Sequence, residues 1–390
     1  MIAFKLAYKN LMGAGLRTLL IVFVLSLAYV LIIYMNGLYQ GWDRQARIET
    51  IAWEVAEGQY WQDVYDPYDP MTLVDAHAPV PAPLEAQASE GKAAPVLITQ
   101  ATIYPEGRMM GVMLRGIDTR QKILALPTDK LDPDSEEITA IIGTRLARSA
   151  GVEEGDFLLI RWRDVHGTFD ATEVKITGIF STTVPAVDQG QVWISLKTLH
   201  EITGMTGEAT RVLVNQAPGE GSTIAGWDFK GHDYLFKELE EMIKTKTVGG
   251  SLFYMIILAL ALLAVFDTQV LSIFRRQREI GTYIAMGMTR KQVVGIFTVE
   301  GGMHAIMAVI LGAVYGFPLL LWTSKAGIAM PEGTDDFGMA AAEHMYPYYS
   351  LALIIGSVIL VTVATTIVSY MPSRKISKMN PNDAIRGKIQ

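Results

Sequence analysis

The segment Arg275-Arg-Gln-Arg-Glu-Ile-Gly-Thr-Tyr-Ile-Ala-Met-Gly-Met-Thr-Arg-Lys-Gln-Val293 joins two long apolar runs, Val248–Phe274 and Val293–Leu321. Apolar runs of this length cross a membrane, so the short basic segment between them is predicted to be a loop at one membrane face. Its cations are opposed only by Glu279, which places the loop in the cytoplasm by the positive-inside rule. These cations are Arg275, Arg276, Arg278, Arg290 and Lys291.

The same loop contains apolar residues at helical spacing. Ile280, Tyr283, Ile284, Ala285 and Met288 predict one apolar side of a short amphipathic helix. A helix lying across the cytoplasmic ends of two spans is suited to transmit a push from a soluble partner. The alternative is a solvated loop that only sets the orientation of the chain.

Four apolar windows have the length of about 20 residues that a span needs. They are Thr18–Met35, Val248–Phe274, Val293–Leu321 and Tyr349–Met371. With 50% hydrophobic residues and a mean hydropathy of +0.26, the chain of 390 residues is too apolar for an ordinary soluble protein. Basic residues concentrate before the first window, in the central loop and after the last window, whereas the insert from Leu38 to Gly250 and the connection Trp322–Tyr348 are acidic. The charges therefore predict four crossings with both acidic segments outside.

Several stretches resemble the FtsX/MacB-type permeases of type VII ABC transporters. The first three, in and after the central loop, are Arg276–Gly281, Ile284–Val293 and Phe297–Gly301. The run Ile141–Asp156 is similar to the periplasmic domain of that family, and Val-Met-Leu-Arg-Gly-Ile-Asp (112–118) is closer to its lipoprotein-releasing LolC/LolE branch. The resemblance implies that the loop carries a coupling helix that docks on a separate ATPase. The implied coupling residues are Arg275, Arg276, Arg278, Glu279, Ile280, Gly281, Ala285, Gly287, Arg290 and Lys291.

The predicted fold is an integral membrane α-helical protein with four transmembrane helices and a large α+β extracytoplasmic domain between helices 1 and 2. The predicted parts are a cytoplasmic interfacial helix (1–16), transmembrane helix 1 (17–37), a MacB-like periplasmic domain with helical stalks (38–247), transmembrane helix 2 (248–274), the coupling loop (275–292), transmembrane helix 3 (293–321), an extracytoplasmic loop (322–348), transmembrane helix 4 (349–371) and a cytoplasmic tail (372–390).

Within the insert, short strands alternate with turn signals. Thr144–Ala150 and Leu196–Thr203 predict helices that end at Gly151 and Gly204. The stretch from Asp66 to Lys92 is rich in Pro, Asp and Ala and predicts an extended loop, either a linker or a partner-binding projection.

Two carboxylates lie inside predicted spans, Asp267 in the second and Glu300 in the third. For Asp267 we predict a buried, hydrogen-bonded contact between helices rather than a proton-coupled role, and for Glu300 a packing or interface role. Asp267 departs from the family, which often has Asn there. Small residues that allow close helix packing are Gly301, Gly302, Gly312 and Gly316. The apolar faces around Val24–Ile33 and Met255–Leu263 are predicted to meet lipid or an acyl chain.

The sequence contains no enzyme constellation. It has no cysteine, its six histidines are scattered, and it lacks the Gly-x-x-x-x-Gly-Lys-Ser/Thr loop that cradles ATP. We therefore predict a non-catalytic subunit that binds no cofactor, with ATP and Mg²⁺ on a partner ATPase.

The function that follows is the permease subunit of an ABC transporter in the bacterial inner membrane, with its large domain in the periplasm. The predicted partners are two copies of a cytoplasmic ATPase, a second permease copy or a diverged sister, the lipid bilayer, and a periplasmic chaperone, adaptor or hydrolase, with no nucleic acid. The predicted substrate is a lipoprotein or another lipophilic molecule. The alternative is a mechanotransmission protein that controls a cell-wall hydrolase or a peptide sensor.

Overall fold

The computed structural model describes residues 15–218, 224–329 and 344–378. Most of the predicted interfacial helix (1–16), much of the loop at 322–348 and the end of the tail lie outside the described residues. The chain divides into two compact units. We call the first the helical unit, whose described parts are 15–43, 242–329 and 344–378, and the second the sheet unit, described within 44–241.

The helices and strands have the following bounds. The helices are α1 (Leu16–Thr50), α2 (Ala82–Ser89), α3 (Thr144–Ala150), α4 (Pro185–Gly190), α5 (Leu196–Thr203), α6 (His232–Leu235), α7 (Lys237–Arg275), α8 (Gln277–Ala285), α9 (Arg290–Ala326) and α10 (Leu351–Ser373). The strands are β1 (Gly58–Gln62), β2 (Ala78–Pro79), β3 (Ala93–Ile103), β4 (Met110–Ile117), β5 (Ile138–Gly143), β6 (Phe157–Arg163), β7 (Phe169–Phe180), β8 (Gln191–Ser195), β9 (Glu208–Ala209), β10 (Arg211–Val214), β11 (Trp227–Lys230), β12 (Ile328–Ala329) and β13 (His344–Met345).

Four helices of the structure are long and apolar enough to cross a membrane. By length and composition they are Thr18–Val55, Lys237–Arg275, Arg290–Ala326 and Leu351–Ile376. The apolar window of the first is 56% buried, whereas those of the other three are 17–22% buried. The first helix is therefore the one that its neighbours in the helical unit surround most fully.

Polar side chains of α1 hold it to its neighbours. The Ser26 hydroxyl shares a hydrogen bond of 3.1 Å with Tyr315 of α9, and the Tyr29 hydroxyl one of 3.0 Å with Thr362 of α10. Between apolar helices in lipid, such bonds and close packing supply much of the association energy. The prediction that the face Val24–Ile33 is free for an acyl chain is wrong for most of this stretch, because Leu25, Ser26, Ala28 to Val30, Ile32 and Ile33 are buried.

The sheet unit is built on one nine-stranded sheet with the order β11-β1-β10-β3-β4-β8-β5-β7-β6. The last strand, β6, also pairs with the far half of β3, at Ala101 to Ile103. Six strands, β3-β4-β8-β5-β7-β6, thus close into a barrel, which removes free strand edges. Inward residues such as Leu114, Ile142 and Ile160 are fully buried in its core.

The two helices predicted from their terminal glycines are confirmed. Helix α3 ends at Gly151 with φ 69°, and α5 ends at Gly204 with φ 75°. Glycine takes this left-handed conformation without the steric cost that a side chain would bring.

The prediction of an extended loop from Asp66 to Lys92 is wrong. This stretch contains the 3₁₀ turn Pro70–Val74, the short strand β2 and the helix α2. Proline at the start of a helix is compatible with its geometry, and Pro83 lies in the first turn of α2. Leu84 of α2 is fully buried and anchors the helix.

Candidate coupling site

The link between α7 and α9 is a helix with defined ends. Helix α7 stops at Arg275, and the backbone leaves helical geometry at Arg276 before α8 begins. After α8, Gly287 adopts φ 96°, a conformation that favours glycine and separates α8 from α9. Helix α9 starts with a capping box, in which Thr289 and Gln292 each hydrogen-bond the other's backbone amide. The predicted loop is therefore a short helix, separated from α7 by the break at Arg276 and from α9 by the turn at Gly287.

One side of α8 is packed into the helical unit. Ile280 is fully buried, and Tyr283, Ile284 and Met288 pack partly buried beside it. Their partners come from the end of α7, the start of α9 and the segment after α10, namely Ile273, Val293, Val294, Phe297 and Ile376. The predicted apolar side is thus observed with one exception. Ala285 is exposed, because five residues of helix turn it about 140° away from Ile280.

Arg276 fastens the start of α8 to α9. Its Nη1 donates to both carboxylate oxygens of Glu300, at 3.0 and 2.9 Å, and its Nε donates to Glu279 at 2.7 Å. The guanidinium also lies over the ring of Phe297, 4.8 Å from the centroid. The Arg276 and Glu300 side chains are only 17% and 9% exposed. Charge-assisted bonds of this kind are among the strongest side-chain contacts.

Two opposing effects act on the charge of Arg276. Burial alone lowers the pKa of its guanidinium, but hydrogen bonds and charge from Glu279 and Glu300 outweigh burial and raise that pKa above its ordinary value. The arginine stays cationic and forms an internal ion-pair network. In the sequence Arg276 is one of five loop cations, but in the structure it is the one whose side chain packs inward, whereas the others are exposed.

The outer side of α8 and of the turn after it is exposed. Met286 is 68% exposed, and basic side chains are exposed before and after it. The exposed members of the predicted coupling set are Arg275, Arg278, Glu279, Ala285, Gly287, Arg290 and Lys291, whereas Ile280 and Gly281 are buried. We call this exposed set together with Met286 the coupling face. Methionine and arginine are enriched where proteins contact one another.

The carboxylate predicted to lie between helices is exposed. Asp267 of α7 points away from the helical unit, and within the described residues it makes no hydrogen bond, so the prediction of a buried contact is wrong for this chain. Gln269 occupies the buried position instead, at 1% exposure. Two residues turn a helix by about 200°, so Asp267 and Gln269 must face opposite ways.

The four glycines predicted to allow close packing differ in how much room they have. A Cβ on Gly301 would collide with Ser369 of α10 and lie 3.0 Å from Nε2 of Gln269. A Cβ on Gly316 would lie 2.6 Å from Val30 of α1, and one on Gly302 would lie 3.1 Å from Thr366. At Gly312 the nearest atom is 3.5 Å away, an ordinary contact. Gly301 and Gly316 thus mark the closest helix approaches in this set.

The described residues contain no group of three His, Cys, Asp or Glu side chains that could hold a metal ion. The side chains that the coupling face exposes are charged or apolar.

The region around the coupling face is similar to known permeases. The FtsX-like permease C-terminal family matches residues 251–381, which include the coupling face, the membrane part of α7, and helices α9 and α10. The chain is 22% identical over 327 residues to a "Lipoprotein-releasing system transmembrane protein LolC" of Neisseria meningitidis, covering 75% of this chain and 77% of that protein.

Two further similarities cover less. A "Macrolide export ATP-binding/permease protein MacB" of Burkholderia lata is 25% identical over 158 residues, 39% of this chain and 20% of that protein. Among solved structures, the extracellular domain of the noncanonic ABC-type transporter YknZ from Gram-positive bacteria aligns with 42% of this chain and 83% of its own, at 12% identity and a TM-score of 0.26.

Proposed function

Since the chain is an FtsX/MacB-type ABC transporter permease similar to the LolC branch, we propose that it is the membrane subunit through which a separate ABC ATPase moves the sheet unit. The observation that carries this proposal is the build of α8. Its inner side is fastened to α9 by the Arg276–Glu300 ion pair and by the packing of Ile280, while its outer side is exposed and basic. A force applied to the coupling face would therefore be transmitted directly to the spanning helices, because α8 is packed against them and is not a flexible loop.

In this proposal ATP and Mg²⁺ belong to the partner, with two ATPase copies per complex. This chain lacks the phosphate-binding Gly-x-x-x-x-Gly-Lys-Ser/Thr loop, so it cannot hold ATP in the P-loop manner. The basic coupling face would lie in the cytoplasm and the acidic sheet unit in the periplasm of a bacterium, as the positive-inside rule predicts.

The long helices α1 and α7 are suited to act as stalks. With 35 and 39 residues they measure about 52 and 58 Å, against about 30 Å for the bilayer core. Both continue past the residues where the chain passes between the units, Asp43 and Glu241. In the sheet unit, Arg47 of α1 pairs with Glu240 of α7 at 2.7 Å and lies over the Phe236 ring at 5.2 Å. This link would make the two helices move together.

We propose that a second permease chain covers the face of α7 that carries Asp267. An ionised carboxylate that faces lipid within a span is unfavourable, so such groups normally face protein. Because the chain contains no cysteine, a single introduced cysteine reports cleanly on this face. Leu271→Cys, one turn from Asp267, should link to a second permease chain through a maleimide–diazirine reagent, whereas Gln269→Cys on the buried side should not. Equal yields would contradict this arrangement.

For the cargo we propose a lipoprotein or another lipidated molecule, on the basis of the printed name of the LolC relative. The earlier turns of α7 are left for an acyl chain, since Met255, Ile256 and Leu260 are all more than half exposed. The second permease chain is proposed only around Asp267 and Leu271, further along the same helix. In the reconstituted complex, a triacylated peptide should stimulate ATP hydrolysis and the same peptide without acyl chains should not. Indifference to the acyl chains would favour mechanotransmission to a periplasmic partner instead.

The coupling itself is tested by co-purification. The tagged full chain, purified from its native membranes, should hydrolyse MgATP through a bound ABC ATPase. The variant Arg278→Glu/Lys291→Glu should insert normally yet lose most of this turnover, because it reverses charge on the coupling face. Control substitutions of the same kind at Lys122 and Lys197, exposed in the sheet unit, should leave turnover unchanged. Full turnover in the first variant would contradict the docking role.

A further inference from the structure

A cavity of ≈340 Å³ opens inside the sheet unit, beside the end of α1. Glu54, in the π-helical turn Ile51–Val55 that continues α1, lines one side of it. Tyr234 and Leu235 of α6, the short helix before α7, line another. The cavity thus lies where the chain enters and leaves the sheet unit.

The base of the cavity holds two buried arginines. Arg115 of β4 and Arg211 of β10 are 7% and 4% exposed. Arg115 pairs in register with Ile98 of the intervening strand β3, and Arg211 pairs with Val96. Val96 and Ile98 are two residues apart, so both arginine side chains leave the same face of the sheet. The topology therefore brings together two cations that are far apart in sequence.

These two cations lack a full set of partners. Among the described residues, Nε and Nη1 of Arg115 and Nε and Nη2 of Arg211 have no hydrogen-bond acceptor. The nearest carboxylate, Glu54, is 3.9 Å from Nη1 of Arg115, which is an ion pair without a hydrogen bond. Arg211 reaches only the side-chain oxygen of Gln59, at 3.3 Å. Buried charge without partners is costly and is retained where it has a use.

The Arg115 guanidinium keeps its charge at neutral pH. Burial, together with the positive charge of Arg211, lowers the pKa of Arg115 to about 10, which still leaves it protonated. Three carboxylates line the cavity, but Asp66 and Glu238 are exposed to solvent. In its buried part only Glu54 opposes the two cations, which leaves one positive charge uncompensated there. The site therefore matches a monoanion.

The shape of the groups selects the class of anion. Arginine presents a planar fork of N–H donors that fits the two oxygens of a carboxylate. The walls beside the arginines are aromatic: Trp61 packs edge-on against both Tyr65 and Tyr234, at centroid distances of 5.0 and 5.6 Å. A carboxylate that carries an apolar or aromatic body fits both parts of the cavity.

We propose that this cavity binds a small organic carboxylate, with the carboxylate on Arg115 and Arg211 and the apolar body against Trp61, Tyr65 and Tyr234. The proposal stands independently of the cargo and of the ATPase. Because Glu54 and Tyr234 adjoin α1 and α7, a bound ligand would also stiffen the region where these helices begin and end in the sheet unit.

The test uses the full chain in lipid nanodiscs and isothermal titration calorimetry. N-acetylphenylalanine is the probe, and N-acetylphenylalaninamide, which has the same body without the charge, is the control. The acid should bind saturably, and the amide and inorganic phosphate should bind at least about tenfold more weakly, the loss expected when charged hydrogen bonds are absent. No saturable binding of the acid, equal binding of the amide, or tighter binding of phosphate would each overturn the proposal.

Two variants should shift the affinity in opposite directions. Arg211→Met should weaken binding of the acid at least about tenfold. Glu54→Gln should tighten it, because it removes the competing carboxylate from the cavity. Arg120→Met, which removes a 91% exposed arginine elsewhere in the unit, is the matched control and should bind as the parent does. A purely structural role for the arginines would not give tighter binding in Glu54→Gln, and unchanged affinity in either cavity variant would contradict the site.

Discussion

The buried arginine at the start of α8 and the two buried arginines in the sheet unit are opposites. Arg276 meets two carboxylates at hydrogen-bond distance and an aromatic ring. Arg115 has a single carboxylate at 3.9 Å and the Trp193 ring at 5.4 Å, and Arg211 has only the side-chain oxygen of Gln59. Together the two arginines leave four nitrogens unpaired within the described residues. The first arrangement is complete in this chain, and the second is completed by an added anion.

This contrast separates a structural cation from a binding cation. When a charge is buried with all its partners, removing it strands those partners and destabilises the fold. When a charge is buried without partners, removing it relieves the desolvation penalty and breaks no stabilising ion pair. Substitution by an apolar residue should therefore have opposite effects at the two places.

The largest effect is expected for Arg276→Met. This change leaves Glu300 buried without its cation and should lower the free energy of unfolding by about 3–5 kcal/mol. It is measured as a fall in the thermal midpoint of the detergent-solubilised chain. Arg278→Met, an exposed neighbour on the same helix, is the control and should unfold with the parent. If both variants unfold alike, Arg276 is not the fastening point described above.

Much of the helical framework, but not this fastening point, was predictable from sequence. Apolar length alone locates the four long helices, and the glycines at 151 and 204 mark two helix ends, because these signals are local. Arg276 and Glu300 are 24 residues apart, and nothing in either neighbourhood indicates that they pair. Ala285 is apolar, yet it is exposed because it lies about 140° round the helix from Ile280.

Gly301→Ala should have the next largest effect. A methyl group there collides with Ser369 next to the buried Glu300, and overpacking of this kind costs about 1–3 kcal/mol. Gly295→Ala on the same helix is the matched control, because no atom lies within 4 Å of its added methyl group. Its thermal midpoint should not fall. Equal losses in both variants would show that helix backbone effects, rather than packing, dominate.

Arg211→Met should move stability the other way. Replacing an incompletely paired buried cation by an apolar side chain of similar length should raise the free energy of unfolding by about 1 kcal/mol. Thermal unfolding of the ligand-free chain measures this, with Arg120→Met as the exposed control. A loss as large as that of Arg276→Met would mean that the two arginine sites do not differ in kind.

The cavity itself could not have been read from the sequence. Arg115 lies in the run 112–118, whose sequence indicates only a family resemblance. Arg211 lies 96 positions later, in a strand whose sequence carries no sign of a binding site. Only the order β10-β3-β4 brings them to one face. The same holds for Asp267 and Gln269, since the apolar run around them does not show which side of the helix is buried.

The smallest effect on stability is expected for Arg278→Glu/Lys291→Glu. Both side chains are exposed, so the free energy of unfolding should change by no more than about 0.5 kcal/mol. Chemical denaturation of the purified chain checks this, alongside the loss of ATPase turnover proposed above. A large destabilisation would show that these two side chains stabilise the fold and are not simply exposed on the coupling face.

We propose that the coupling face and the sheet unit lie on opposite sides of one membrane. Because the chain contains no cysteine, Lys291→Cys and Arg120→Cys each introduce a single labelling site. In intact spheroplasts a membrane-impermeant maleimide should label Arg120→Cys at once and label Lys291→Cys only after permeabilisation. Labelling of both variants from the same side would contradict the account.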